Sequence, residues 1–236
     1  KQGTEGNVKL SYNGNVGVQN LIRLPEMLDA QEFMMLQSEA AVNSGGHAYD
    51  WQSEFGISPS AKTTNWIEEI VKKNAISTSH NLSISGGSKV STFAVSLGLS
   101  DQEGIFGGRD FSNNTRYTFR VNSTHKLFND VLRFGEHVSL SYSDRKGISM
   151  GNQYSNIIQD ALRCSPFRSV YNEDGSDFSQ STLWYAEETN PVAALKLKNL
   201  ATNESARLSG DIFAELRPFK GFVFKTSFAL DYINNN

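Results

Sequence analysis

The chain has 236 residues, a formal net charge of -3 and one cysteine, Cys164. That length can bury the core of one large domain or two small ones. Without an excess of basic residues to displace phosphate counterions, nucleic acid is excluded as the main partner, and one cysteine excludes an internal disulfide framework.

No apolar run reaches the length of a membrane-spanning helix, a limit that does not touch β-barrels, where only every second residue faces lipid. The chain starts at Lys1 without an initiator methionine and stops at Asn234-Asn235-Asn236. It reads as a piece of a longer protein. Val8 to Gln19 is the first predicted strand, with Val8, Leu10, Tyr12, Val16 and Val18 on one face. Lys9, Ser11, Asn13, Asn15, Gly17 and Gln19 take the other, the period of two that separates the faces of a strand.

Asp29 followed by Glu32 has the spacing of a capping box, and Gly45-Gly46 supplies a stop, so a helix is predicted from about Ala30 to Val42. Asn65 with Glu68 repeats the cap spacing before a second, shorter helix. From Ile76 to Ile105 the alternation returns over a long hairpin. Ile76, Thr78, His80, Leu82 and Ile84 share a face, as do Phe93, Val95, Leu97 and Leu99; small Ser, Thr, Asn and Gly residues fill the opposite one. Gly86-Gly87-Ser88 is the predicted turn. A polar face this small and uncharged suits a strand lining a water-filled lumen with lipid on its other side.

Residues 106 to 115 read as loop, and Tyr117, Phe119 and Val121 then alternate with Arg116, Thr118, Arg120 and Asn122. After a turn at Leu127-Phe128-Asn129-Asp130, Leu132, Phe134, Val138, Leu140 and Tyr142 share a face with Glu136, which breaks the pattern and suggests a bulge near Gly135. The segment 143–206 is irregular, with a short helix at Asn156 to Leu162. Leu208, Ile212, Ala214 and Leu216 belong to a sixth strand, Phe222, Phe224, Phe228, Leu230 and Tyr232 to a seventh, and Pro218 to Gly221 turn between them. The connections alternate strictly. Those after Gln19, Leu99 and Ser143 are long, and those at Gly86, Phe128 and Lys220 are short, the asymmetry of an outer-membrane barrel.

Leu82-Ser83-Ile84-Ser85-Gly86-Gly87-Ser88, then a strand, then Asp101-Gln102-Glu103-Gly104-Ile105, resembles an early barrel hairpin of SusC/RagA-type TonB-dependent outer-membrane transporters. The first loop with its helix resembles the same family, and the opening Lys1 to Asn7 resembles the link between an internal plug and the first barrel strand. The resemblance implies an all-β, antiparallel up-and-down sheet with short loop helices. It would form roughly one third of a transmembrane barrel of the roughly 22-strand, plugged type.

Residues 1–236 would then be one partial barrel with extracellular loops at 20–75, 100–115 and 143–206. The implied function is TonB-dependent import of oligosaccharides or peptides across the outer membrane, with no cofactor. The implied partners are a SusD-like surface lipoprotein, outer-membrane lipid, and a TonB complex reached through parts of the parent that are left out of this chain. The competing reading is a soluble β-sandwich carbohydrate-binding module of a secreted protein.

No catalytic or metal site stands out in the sequence. His47, His80, His125 and His137 lie in separate elements without ligand spacing. Glu173-Asp174-Gly175-Ser176-Asp177 reads as a turn, because a calcium loop needs a later bidentate Glu. Cys164, between Arg163 and Ser165, reads as a structural thiol, and an enzyme is not expected. Aromatics placed in the long loops are the candidate ligand or partner contacts: Tyr49, Trp51, Phe167, Tyr171, Trp184 and Tyr185. Their faces suit sugars and partner surfaces. Packing of the loops against one another is the structural alternative.

Overall fold

The computed structural model describes residues 3–148, 150–151, 156–197 and 201–236. Seven strands run in it: β1 (Gly6–Gln19), β2 (Ala75–Gly87), β3 (Ser91–Glu103), β4 (Asn113–Leu127), β5 (Leu132–Gly147), β6 (Ala201–Leu216) and β7 (Phe224–Asn235). They form one antiparallel sheet in sequence order. Among the described residues no second sheet packs on it, which removes the sandwich alternative. The first long connection carries α1 (Ala30–Asn43), α2 (Trp51–Phe55) and α3 (Trp66–Ile70), the second α4 (Gly108–Phe111), and the third α5 (Ile157–Arg163) and α6 (Pro191–Leu197).

The register carries the alternation across the whole sheet. Tyr12, Leu82, Leu97, Phe119, Leu140, Leu208 and Tyr232 are successive partners from β1 to β7 and make one apolar row. One residue away on the opposite face, Ser11, Ser83, Ser96, Arg120, Ser139, Ser209 and Asp231 are successive partners in the same way. The apolar face is left open: Leu97 is 51% exposed, Leu140 43% and Phe228 67%. The interior lies instead in the connections, where the two clusters of buried apolar residues are found.

Four local expectations change. Gly86 and Gly87 are not the turn but the end of β2, paired with Phe93 and Thr92, and the chain reverses at Ser88-Lys89-Val90. Ser88 N–H donates to Ser91 O at 2.7 Å, while the Ser88 hydroxyl oxygen accepts from Val90 and Ser91. What Gly87 supplies is closeness, since a Cβ there would stand 2.5 Å from Ser91 O.

No bulge interrupts β5 at Gly135. Its register with β4 and β6 is continuous, so Glu136 stays on the apolar face. The glycine is required because a Cβ there would stand 2.5 Å from Ser123 O and 2.7 Å from the Phe213 ring. Phe222 precedes β7 and packs on Phe219 in the turn, with ring centroids 5.3 Å apart.

The strands also run further than their apolar alternation. The long connections accordingly shrink from the expected bounds to 20–74, 104–112 and 148–200. At that end Asp101, Asp144 and Glu204 occupy the apolar face, where Asp101 and Asp144 both pair with Thr115 and Asp144 with Glu204. Backbone pairing continues there because the ladder needs only N–H and C=O groups. The last expected loop includes residues 149, 152–155 and 198–200, which lie outside the described residues.

Candidate functional site

The three long connections gather at one end of the sheet and are knitted into a cap. Asp29 begins α1 with a complete capping box, its carboxylate accepting from Glu32 N–H while Glu32 accepts from Asp29 N–H. Asp50 and Asn65 cap α2 and α3. The hydrogen bonds from Ser53, backbone first and hydroxyl second, hold the Asp50 carboxyl below its ordinary range. Each such cap gives a partner to a backbone N–H that the first turn would otherwise leave without one.

Contacts between connections then fix the cap as a unit. Trp66, 1% exposed, donates its indole N–H to Ser165 O at 2.9 Å, and Thr64 N–H donates to Pro166 O at 2.7 Å. Lys72 N–H reaches Ile105 O, and Gly107 N–H reaches Ile70 O. Around Trp66, residues Ile67 and Ile70 of α3 meet Ile157 and Ala161 of α5 and Val192 and Leu195 of α6. Glu103, at the end of β3, is buried and accepts from Ile76 N–H at 2.9 Å and Arg109 N–H at 3.0 Å. One carboxylate thus ties the start of β2 to α4.

A second cluster is aromatic. Trp51 is 8% exposed and meets Trp184 at 4.7 Å, Phe55 at 5.3 Å, Tyr49 at 5.6 Å and Phe167 at 5.7 Å between ring centroids. Its indole N–H donates to Ser38 Oγ of α1 at 3.0 Å. Trp184 also meets Phe33, Tyr49 and Phe55 edge-on.

Below it runs a buried polar network. Arg168 donates to Glu188 O at 2.7 Å and Ser179 O at 2.5 Å, while Glu188 Oε1 accepts from Ser165 N–H at 2.5 Å. Cys164 lies beside this network. Burial, then the Glu188 charge, push its thiol pKa far up, against the opposing pull of Arg168. Among the described residues no group of three His, Cys, Asp or Glu side chains is placed to hold a metal ion.

Two curated proteins share this chain's sequence over most of its length. The TonB-dependent receptor SusC of Bacteroides thetaiotaomicron is 28% identical over 225 residues, covering 87% of this chain and 21% of the receptor. The chain is SusC-like. The TonB-dependent receptor P26 of Formosa agariphila is 28% identical over 230 residues, 96% of this chain and 21% of that receptor. This SusC-like chain therefore spans about one fifth of the length of those relatives. No protein-family model matches it.

Among solved structures, chains of the RagAB peptide transporter and of the RagAB peptide importer in its 'closed-closed' state superpose over 100% of the SusC-like chain and 29% of their own length. Their TM-scores are 0.77 and 0.76 at 20% identity. The fold is thus that of a stretch of those larger chains.

Against this background the expected contact residues divide. Tyr49, Trp51, Phe167 and Trp184 come together in the aromatic cluster, with Trp51 and Phe167 buried and Tyr49 and Trp184 half-buried. Tyr171 and Tyr185 remain open at 41% and 52% exposure. The Tyr171 hydroxyl accepts from Lys196 Nζ at 2.9 Å, and the ring stacks on Phe178 at 5.3 Å. Glu173 to Asp177 forms the turn between those two rings, with Gly175 at φ +69° and Asp174 accepting from Ser176.

Sequence reasoning missed the Arg168–Glu188 pair, whose members stand twenty positions apart in irregular chain without any periodic signal. It also missed Glu103, although the Asp101 to Ile105 wording contains it. A carboxylate at the end of a strand where an apolar residue is due was the available signal.

Proposed function

We propose that this chain is part of the barrel wall of an outer-membrane TonB-dependent importer. Such a receptor would take up oligosaccharides or peptides together with a SusD-like surface lipoprotein, and the TonB complex would engage parts of it beyond this chain. The observation that carries the reading is the open apolar face. Seven strands in sequence order present it, with Tyr12, Leu82, Leu97, Phe119, Leu140, Leu208 and Tyr232 in one row, and among the described residues the buried apolar clusters lie at the long-loop end. Water would drive such a face into association, whereas a bilayer solvates it.

The likeness to SusC and P26 supports the TonB-dependent part, and the description of RagAB as a peptide importer keeps peptides among the substrates. Short turns would face the periplasm, and the connections 20–74, 104–112 and 148–200 would face outward. The reading includes no catalytic step.

Two experiments test it in the full receptor carrying this segment. Spin labels at positions 93, 95, 97 and 99, which replace Phe93, Val95, Leu97 and Leu99, are expected to report hydrocarbon after reconstitution. An aqueous signal at all four refutes the barrel assignment. For the loop contacts, Tyr171→Ala and Tyr185→Ala are expected to weaken substrate or lipoprotein binding by on the order of 1 kcal/mol each. Binding by both variants at the wild-type level would remove these rings from the site.

A further inference from the structure

A chain of polar side chains crosses the apolar face where none belongs. Ser91 Oγ and His125 Nδ1 are 2.8 Å apart, His125 Nε2 and Ser123 Oγ are 2.8 Å apart, and the Ser123 hydroxyl donates to Glu136 Oε1 at 2.6 Å. The register places them among hydrocarbon. Ser123 pairs with Phe93 on one side and Glu136 on the other, and Glu136 pairs with Ile212. Ser123 is 8% exposed, and the His125 ring stacks on Phe134 at 4.7 Å.

The donors have a direction. Ser123 spends its one proton on Glu136, so His125 must donate Nε2–H to Ser123, and in the neutral ring Nδ1 then accepts from Ser91. Every donor points toward the carboxylate, and the chain of hydrogen bonds ends on Glu136 Oε1.

Among the described residues no cation shares this stretch of the face with that carboxylate. From Leu132 to Tyr142 along β5, and across its partners on β3, β4 and β6, this face carries neither Lys nor Arg. At the turn end, Arg133 is paired with Asp130 and Arg217 with Glu215. A charged group in hydrocarbon needs a partner or a proton. Glu136 lies four positions from the start of β5, so about 13 Å along the strand and roughly 9 Å in depth at a 45° tilt. Headgroups of the leaflet on the short-turn side can reach that level.

Building on the barrel reading, we propose that Glu136, oriented by Ser123 and His125, binds the primary ammonium of an aminophospholipid headgroup. The ammonium would bring both a positive charge and N–H donors for the carboxylate. The test uses the full receptor in nanodiscs containing equal phosphatidylethanolamine, phosphatidylcholine and phosphatidylglycerol, with retained lipid read by native mass spectrometry. Wild type is expected to retain phosphatidylethanolamine above both others, since choline has the charge without N–H donors. Glu136→Gln, which keeps the shape and an acceptor for Ser123, is expected to lose that preference.

Equal retention of the three lipids by wild type overturns the proposal, as does a preference that survives Glu136→Gln. A dimer in the nanodisc that dissociates in Glu136→Gln, with no lipid preference, would assign the cation to a second copy and overturn it too. A spin label at position 97 in the same nanodiscs separates the two levels. Water there refutes the barrel reading, whereas hydrocarbon there without lipid preference refutes the headgroup site alone.

Discussion

Trp51→Ala is expected to open the loop cap while leaving the strands assembled. The indole fills the space between α1, α2 and the third connection, touching rings from Tyr49, Phe55, Phe167 and Trp184, and its N–H holds Ser38. Deleting it removes a large buried apolar surface and leaves a cavity that the surrounding rings can fill only in part. The expected cost is about 3–5 kcal/mol.

The strands do not share that cost, because their ladder is continuous without the cap. Limited proteolysis should therefore cut within 20–74 and 148–200 in the variant but not in wild type. Barrel assembly, followed by heat-dependent gel mobility, should be unchanged. Equal protease resistance in the two proteins would show that the aromatic cluster does not hold the cap together.

The second large effect is expected at Arg168→Leu. Arg168 and Glu188 are 4% and 8% exposed, with Nη1 3.6 Å from Oε2, and the guanidinium also satisfies the carbonyls of Glu188 and Ser179. Removing the cation leaves a buried carboxylate without compensation, at a cost of about 3–5 kcal/mol.

Cys164 makes this measurable without substrate. The thiol is 4% exposed, and burial raises its pKa, so wild type should react very slowly with a thiol reagent at neutral pH. A cap destabilised by that amount opens more often, which should speed labelling by about a hundredfold or more. The double variant Arg168→Leu with Glu188→Leu should restore much of the protection, because neither side then buries an unpaired charge. Labelling of Arg168→Leu at the wild-type rate would show that the pair does not stabilise this part of the cap.

The two halves of the molecule were not equally legible in the sequence. Strands β1 to β7 announce themselves because apolar residues recur at alternate positions along much of each. Three short and three long connections then give the up-and-down order, since adjacent antiparallel strands are joined by the tightest links available. The capping box works the same way, with Asp29 and Glu32 three positions apart and serving each other. In these cases the signal and the structure share a length scale of a few residues, so the sequence alone determines them.

The cap and the polar chain on the apolar face are decided at a different scale. Trp51 and Trp184 are far apart in the chain, and nothing local says that their rings would meet at 4.7 Å rather than face a ligand. Glu136 looks like a break in the pattern until the register sets Ser123 of β4 beside it, with His125 on the same strand and Ser91 on β3 in line. Arg168 and Glu188 likewise acquire their roles only when the connections fold over one another. Backbone periodicity is a local property and can be read from the chain. Side-chain partnership across loops depends on which surfaces remain after the strands have paired, and only the tertiary structure decides that.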